Sequence, residues 1–145
     1  MAGAAGEKAL RGGRAMGLES IGSAYLGIVV EDSIRDRAAM ERLRVLATRH
    51  LGSWAFALVR IPAMDLPETI ARLQRGMVTD DTWYNHFFRD EDLVVVFRDA
   101  VFSVTTDPAS WAPAVAHGLA GGIPSQQLDF HPRTPDAAEA FFRDR

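Results

Sequence analysis

The stretch Thr82–Thr105, TWYNHFFRDEDLVVVFRDAVFSVT, most restricts what this chain can fold into. Charged clusters divide it into Thr82–Arg89, Leu93–Phe97 and Val101–Thr105. Runs of this length, rich in Val, Phe and Trp and separated by Asp-containing breaks, read as short antiparallel strands joined by hairpins. Side chains alternate along a strand, so the pairing register decides which of them share a face.

A three-residue loop at Asp90, Glu91 and Asp92 pairs Arg89 with Leu93, Phe87 with Val95 and His86 with Val96. An even loop in the second hairpin pairs Phe97 with Phe102 and Val95 with Val104. This register predicts an apolar face of Trp83, Phe87, Leu93, Val95, Phe97, Phe102 and Val104. Each large apolar side chain buried there contributes roughly 1.5–3 kcal/mol. The reverse face then carries Tyr84, His86, Phe88, Val94, Val96, Arg98, Ser103 and Thr105. It is too apolar for open solvent and too polar for a dry core, which makes it the expected contact surface.

The flanking segments supply elements to cover the apolar side. Ser23–Val30 reads as a buried strand. Ser33 and Asp36 suggest a capping box for a helix with Ala39, Leu43, Leu46, Ala47 and His50 on one stripe, stopped by Gly52. Trp54–Ile61 is the next strand, ended by Pro62. Asp65 and Glu68 suggest a second capping box, for a helix aligning Leu66, Ile70, Leu73 and Met77 and closed by Gly76. A third helix is expected from Ser110, since a cap at Asp107 would put Pro113 in the helix interior at a cost of ~3 kcal/mol. Trp111, Ala114, Val115, Gly118 and Leu119 form its contact face and Gly121-Gly122 end it. A 3₁₀ turn follows within Ile123–Leu128, then a terminal helix from Thr134-Pro135 carrying Phe141 and Phe142.

The order β-α-β-α-β-β-β-α points to the α+β class: about five strands in a mostly antiparallel sheet, with helices packed mainly on one face. In layout it resembles ferredoxin-like domains, some of which pair sheet to sheet as dimers. That resemblance concerns the fold alone.

Composition excludes several function classes. The 145 residues suit one domain with a core of its own. No cysteine is present, so disulfides, thiolate metal sites and cysteine nucleophiles are excluded. Glu7 against Lys8, Arg11 and Arg14 gives residues 1–17 a charge of +2, so residues 18–145 carry −5 of the net −3. Such a balance disfavours nucleic acid as a partner. Lys8 is the sole lysine, which rules out a Schiff-base or P-loop lysine in residues 18–145. The amino-terminal 17 residues read as a disordered tail without a secretory h-region, with Met16 an alternative start and 18–145 a single domain. No stretch reads as a membrane span, and the cytoplasm is the expected location. No nucleotide, metalloprotease, EF-hand or nucleophile-elbow motif occurs, so no cofactor and no metal is implied.

Candidate chemistry centres on Tyr84, His86, Arg98 and Ser103, which the register above gathers on the mixed face. His86 can serve as acid or base, Tyr84 as donor, Arg98 as anion clamp and Ser103 as a further hydroxyl. The bland alternative is a histidine packed by Tyr84 and Phe88 on a half-covered sheet. Asp80-Asp81 could be hard-cation ligands but reads more simply as a turn. Asp90-Glu91-Asp92 reads as a solvated loop. Asp129 and His131 could pair, yet lack a third ligand nearby in sequence. His50 and His117 read as cations near helix C-termini. Two main functional readings follow. One is a non-enzymatic partner-binding or homo-oligomeric domain whose mixed face, with Phe88, Val94, Val96 and Val101, is covered by a second copy or another protein. The other is a small-ligand protein or enzyme with a His86 pocket on that face. A weaker third reading has the charge-free Pro108–Leu128 segment as a docking surface anchored by Trp111.

Overall fold

The structure, a computed structural model, describes residues 24–132 and 134–143. The tail expected over residues 1–17, the alternative start at Met16 and Ser23 lie outside the described residues. The strands are β1 (Tyr25–Val30), β2 (Arg44–Leu51), β3 (Trp54–Ile61), β4 (Tyr84–Arg89), β5 (Asp92–Phe97) and β6 (Ala100–Val104). The helices are α1 (Ala38–Glu41), α2 (Leu66–Gly76), α3 (Ala112–Ala120) and α4 (Pro135–Arg143). The strands form one open six-stranded sheet of order β2-β3-β1-β4-β5-β6, antiparallel throughout. The class is α+β, as expected.

Helices cover both faces, which corrects the expectation of one covered side. On the first face, α3, α4 and the segment between them pack Ala114, Ile123, Leu128, Phe130, Ala138 and Phe142 against Ile28, Leu58, Phe88, Leu93, Val95, Phe97 and Val104. On the second, α1 and α2 pack Ala39, Leu66, Leu73 and Met77 against Val29, Ala57, Val59, Phe87, Val94 and Val96. The reason lies in the run LVVVF. Leu93 through Phe97 are all buried, and a strand apolar at successive positions needs cover on both sides.

The expected helix from Ser33 to Gly52 is replaced by a 3₁₀ turn, the single-turn α1 and strand β2. Ser33 caps nothing; it is fully buried and its hydroxyl donates to the Val30 carbonyl at 2.7 Å. His50 therefore stands opposite Ala55 on a strand, away from any helix terminus. The deciding feature is the hairpin Leu51-Gly52-Ser53-Trp54, where Leu51 pairs with Trp54 and Gly52 takes φ 63°. A two-residue loop beginning with left-handed glycine matches the twist of its strands, and the ladder of seven residue pairs with β3 outweighs weak helical propensity. Leu46, expected on a buried stripe, is 45% exposed beside a β-bulge.

In the second half the elements follow in the expected order, though Leu119, expected on the contact face of α3, is 49% exposed. Helix α2 buries Leu66 and Leu73 and leads into the buried Met77, with Ile70 packed beside them. Its end is shaped by contact: a Cβ on Gly76 would lie 2.8 Å from the Ala39 methyl, and Gly76 O accepts both Arg35 N–H and Asp36 N–H. The Asp65–Glu68 capping box does not form, since Asp65 makes no side-chain cap. The cap is at Asp107 and not at the expected Ser110, whose Oγ donates back to Asp107 O. Asp107 caps a 3₁₀ turn over Pro108–Trp111, and α3 begins after the turn, so Pro113 still falls in its first turn. Thr134 Oγ1 accepts Ala137 N–H at the start of α4, at 3.1 Å. No helix among the described residues is long and apolar enough to cross a membrane.

Candidate functional site

Strands β1 and β4 join the two halves of the sheet, and they pair only through Leu26, Gly27 and Ile28 with Phe88, Phe87 and His86. Both run on past that ladder. There Asn85, fully buried, inserts its side chain: Oδ1 accepts Val30 N–H at 2.7 Å and Nδ2 donates to Ser33 Oγ at 3.0 Å. Ser33 Oγ in turn donates to Val30 O at 2.7 Å. The amide thus satisfies the β1 backbone where the strands part, which a buried N–H requires.

A cavity of about 430 Å³ opens at this end, on the α3–α4 face. Its floor is Ile28, Val30, Trp54, Phe56, Tyr84 and His86, and its roof is Gly122, Ile123, Pro124, Gln127 and Phe141. Tyr84 fastens the two, its hydroxyl donating to Gln127 O at 2.6 Å while its ring packs on Phe130 at 5.2 Å. Asp81, Thr82 and Trp83 make the rim. Asp81 Oδ1 accepts Thr82 N–H at 2.8 Å. The turn after α3 presses on that rim so closely that a Cβ on Gly121 would meet Thr82 at 2.6 Å. Gly122 follows at φ 95°, a left-handed conformation that suits glycine.

The wall is mainly aromatic. Trp83 meets Trp54 edge to face at 5.4 Å and 68°, Trp54 meets Phe56 at 6.2 Å and 65°, and Phe56 meets Phe141 at 5.6 Å and 87°. His86 stands beside Tyr84, ring centroids 6.1 Å apart. Arg49 braces the arrangement from β2. Its guanidinium lies 4.5 Å from the Phe141 ring centroid and donates to Phe141 O at 2.6 Å, holding the last turn of α4 through a carbonyl that a cation favours. Its buried Nε has no hydrogen-bond partner among the described residues.

The four residues expected to share a site are divided. Tyr84 and His86 line the cavity. Ser103 pairs with Val94 and so lies on the α1–α2 face, exposed. Arg98 sits in the turn after β5, beside a cleft of about 140 Å³ shared with Met77, Val78 and Asp99. The cause is one residue of loop. Arg89 pairs with Asp92 across a two-residue turn, Asp90-Glu91, in which Asp90 takes φ 55°. Asp tolerates that conformation better than most residues. Phe87 then pairs with Val94 and His86 with Val95, so Tyr84, His86 and Phe88 join Leu93, Val95 and Phe97. Trp83 and Phe87 pack with the opposite cluster. The expected inward and outward sets of β4 are therefore exchanged. The second hairpin is even-looped, but pairs Val95 with Phe102 and Phe97 with Ala100, two residues from expectation and without change of face.

The lesser candidates resolve individually. Asp80 and Asp81 are both exposed, and Asp81 stands at the cavity rim. Asp129 Oδ1 and His131 Nδ1 are 2.8 Å apart on the surface, with His131 against Trp111 at 4.5 Å. No group of three His, Asp or Glu side chains among the described residues could hold a metal ion. His117 packs between Phe97 and Phe102, and its Nε2 lies 2.9 Å from Asp99 Oδ1. The hydrogen bond to His117 lowers the Asp99 carboxyl below its ordinary value of 3.8. Trp111 Nε1 donates to Thr105 O at 2.7 Å, anchoring the loop into α3.

Sequence reasoning passed over Trp54, Trp83 and Asn85 as functional positions. The available signal was Gly52-Ser53, which as a hairpin turn places Trp54 at a strand end. Comparison with protein-family models, curated proteins and solved structures finds no match.

Proposed function

We propose that the protein binds a small molecule in the cavity between the end of the sheet and the α3–α4 cover. The observation carrying this reading is the cavity itself: about 430 Å³, walled by rings, with a few polar groups at Asp81, Thr82, His86 and Gln127. That size and lining are those of ligand sites, which are mostly apolar with few orienting polar groups. Binding is favoured over catalysis, because Ser103 and Arg98 lie away from His86 and the Tyr84 hydroxyl donates to a backbone carbonyl.

The scaffold reads as a ferredoxin-like unit with an added cover. β1-α1-β2-β3-α2-β4, in spatial order β2-β3-β1-β4, follows the β-α-β-β-α-β pattern, and α1 and α2 share a face. In this reading β5 and β6 extend the sheet, and α3 and α4 cover in cis the face opposite α1 and α2.

Three tryptophans make the test direct. Trp54 and Trp83 line the cavity, whereas Trp111 is held by Thr105 and does not. A fragment library screened by indole N–H NMR should shift Trp54 and Trp83 and spare Trp111. Hits that move only Trp111, or a library without hits, would remove the reading.

A second reading concerns a protein partner. The β2 edge exposes Val45, Leu46 and Leu51 at 44%, 45% and 50%, and an edge strand with apolar side chains is a template for pairing. We infer that a second copy pairs along β2. Of the row Phe88, Val94, Val96 and Val101, expected to meet a partner on the sheet face, the first three are buried beneath the helices and Val101 on β6 is 43% exposed.

A further inference from the structure

Resting on the cavity reading above, we infer that the ligand is an organic cation, a quaternary or protonated amine with a compact apolar body. Trp83, Trp54, Phe56 and Phe141 follow one another round the wall, successive planes meeting at 68°, 65° and 87°. All four rings line the cavity, so a ligand held there is bounded by aromatic carbon on several sides. A cation held there is attracted by the ring quadrupoles, most strongly by tryptophan, and more so when water is excluded.

The charges at the wall point the same way. Asp81 supplies a carboxylate at the rim, and no lysine or arginine stands among the described lining residues. Arg49 is engaged with the ring and carbonyl of Phe141 and is not part of the lining. An anionic ligand would enter past Asp81 and meet no lysine or arginine in the described wall. An uncharged one would gain from the rings' area but nothing from the carboxylate. A cation gains from both, since an opposite charge at the rim is attractive and the rings bind it as well.

The test uses the full chain with three isosteres that differ in charge: choline, 3,3-dimethylbutan-1-ol and 3,3-dimethylbutanoate. Binding is read by tryptophan fluorescence and by calorimetry. Choline should bind about tenfold tighter than the alcohol, the ratio expected of a partly desolvated cation–π site, and the butanoate should bind weakest. Asp81→Asn should lower choline affinity several-fold and leave the alcohol unchanged. Trp54→Ala should weaken both. A trimethyl-lysine dipeptide tested alongside separates the possible sources of such a cation: tighter binding of the dipeptide assigns it to a protein side chain, tighter binding of choline to a free small molecule. Equal binding of choline and the alcohol, or preference for the butanoate, overturns the inference while leaving a Trp54-dependent cavity intact. Binding by none of the three also overturns it, and the fragment screen then decides the cavity reading separately.

Discussion

Gly27 and Phe87 stand directly opposite each other in β1 and β4, and the Phe87 ring occupies the space that a side chain on Gly27 would take. A Cβ built on Gly27 would fall 2.3 Å from Phe87 Cδ1. Phe87 is fully buried and lies in the cluster beneath α1 and α2. The contact is therefore structural, and it sits on the short ladder that joins the two halves of the sheet.

Gly27→Ala should destabilise the protein by about 1–3 kcal/mol, because the ring must move against a packed core. Urea unfolding followed by circular dichroism measures the loss. Gly27→Ala combined with Phe87→Leu should recover part of it; a single variant as stable as wild type would show that the ring has room to move.

Asn85→Ala should cost about 1–3 kcal/mol, leaving Val30 N–H and Ser33 Oγ without the amide that now satisfies them. The change also removes what holds β1 beside β4 at the cavity floor. Amide exchange at Val30 should therefore accelerate more than exchange at Val94, and uniform acceleration would deny Asn85 that local role.

The pH dependence follows from Asp99. Its carboxyl is lowered from 3.8, first by the hydrogen bond to His117. A depressed carboxyl contributes stability above its unfolded value and loses it as pH falls through the folded value. The Asp99 carboxylate is largely exposed, so the contribution of the pair is about 0.2–1 kcal/mol near neutrality. His117→Phe should raise the Asp99 titration toward 3.8 in a carboxyl NMR series, and an unmoved titration would refute the assigned cause.

Leu51→Lys tests the β2 edge. Light scattering should give a dimer for the wild-type chain and a monomer for the variant, since a charge on an edge strand blocks pairing. A wild-type monomer at high concentration rules out a second copy along β2.

The sheet was legible where sequence signals agree. Trp54–Ile61 appears with those bounds as β3, and the stripe Leu66, Ile70, Leu73 and Met77 faces the core as its spacing requires. The order of helix, meander and closing helices was likewise readable from proline and glycine, whereas of the expected caps only Thr134 forms. Arg44–Leu51 was not, because its alanine, threonine and histidine suit a helical stripe nearly as well as a strand, and only the Gly52 hairpin and the β3 ladder separate the two. The candidate site failed for a similar reason. Asp90-Glu91-Asp92 admits loops of two or three residues, and a change of one turns all of β4 over.

The sequence alone determined an α+β chain with a central apolar meander, because local periodicity and turn chemistry act within a few residues of each other. Tertiary structure decided which face each residue occupies and what covers it. Tyr84 and His86 turn toward α3 and α4 because the Asp90 turn closes with two residues. Trp54 and Trp83 meet although 29 positions apart in sequence, because β1 and β4 diverge at Asn85 and leave a space there that rings fill. Such contacts depend on register and on long-range packing, neither of which is encoded in any short run of residues.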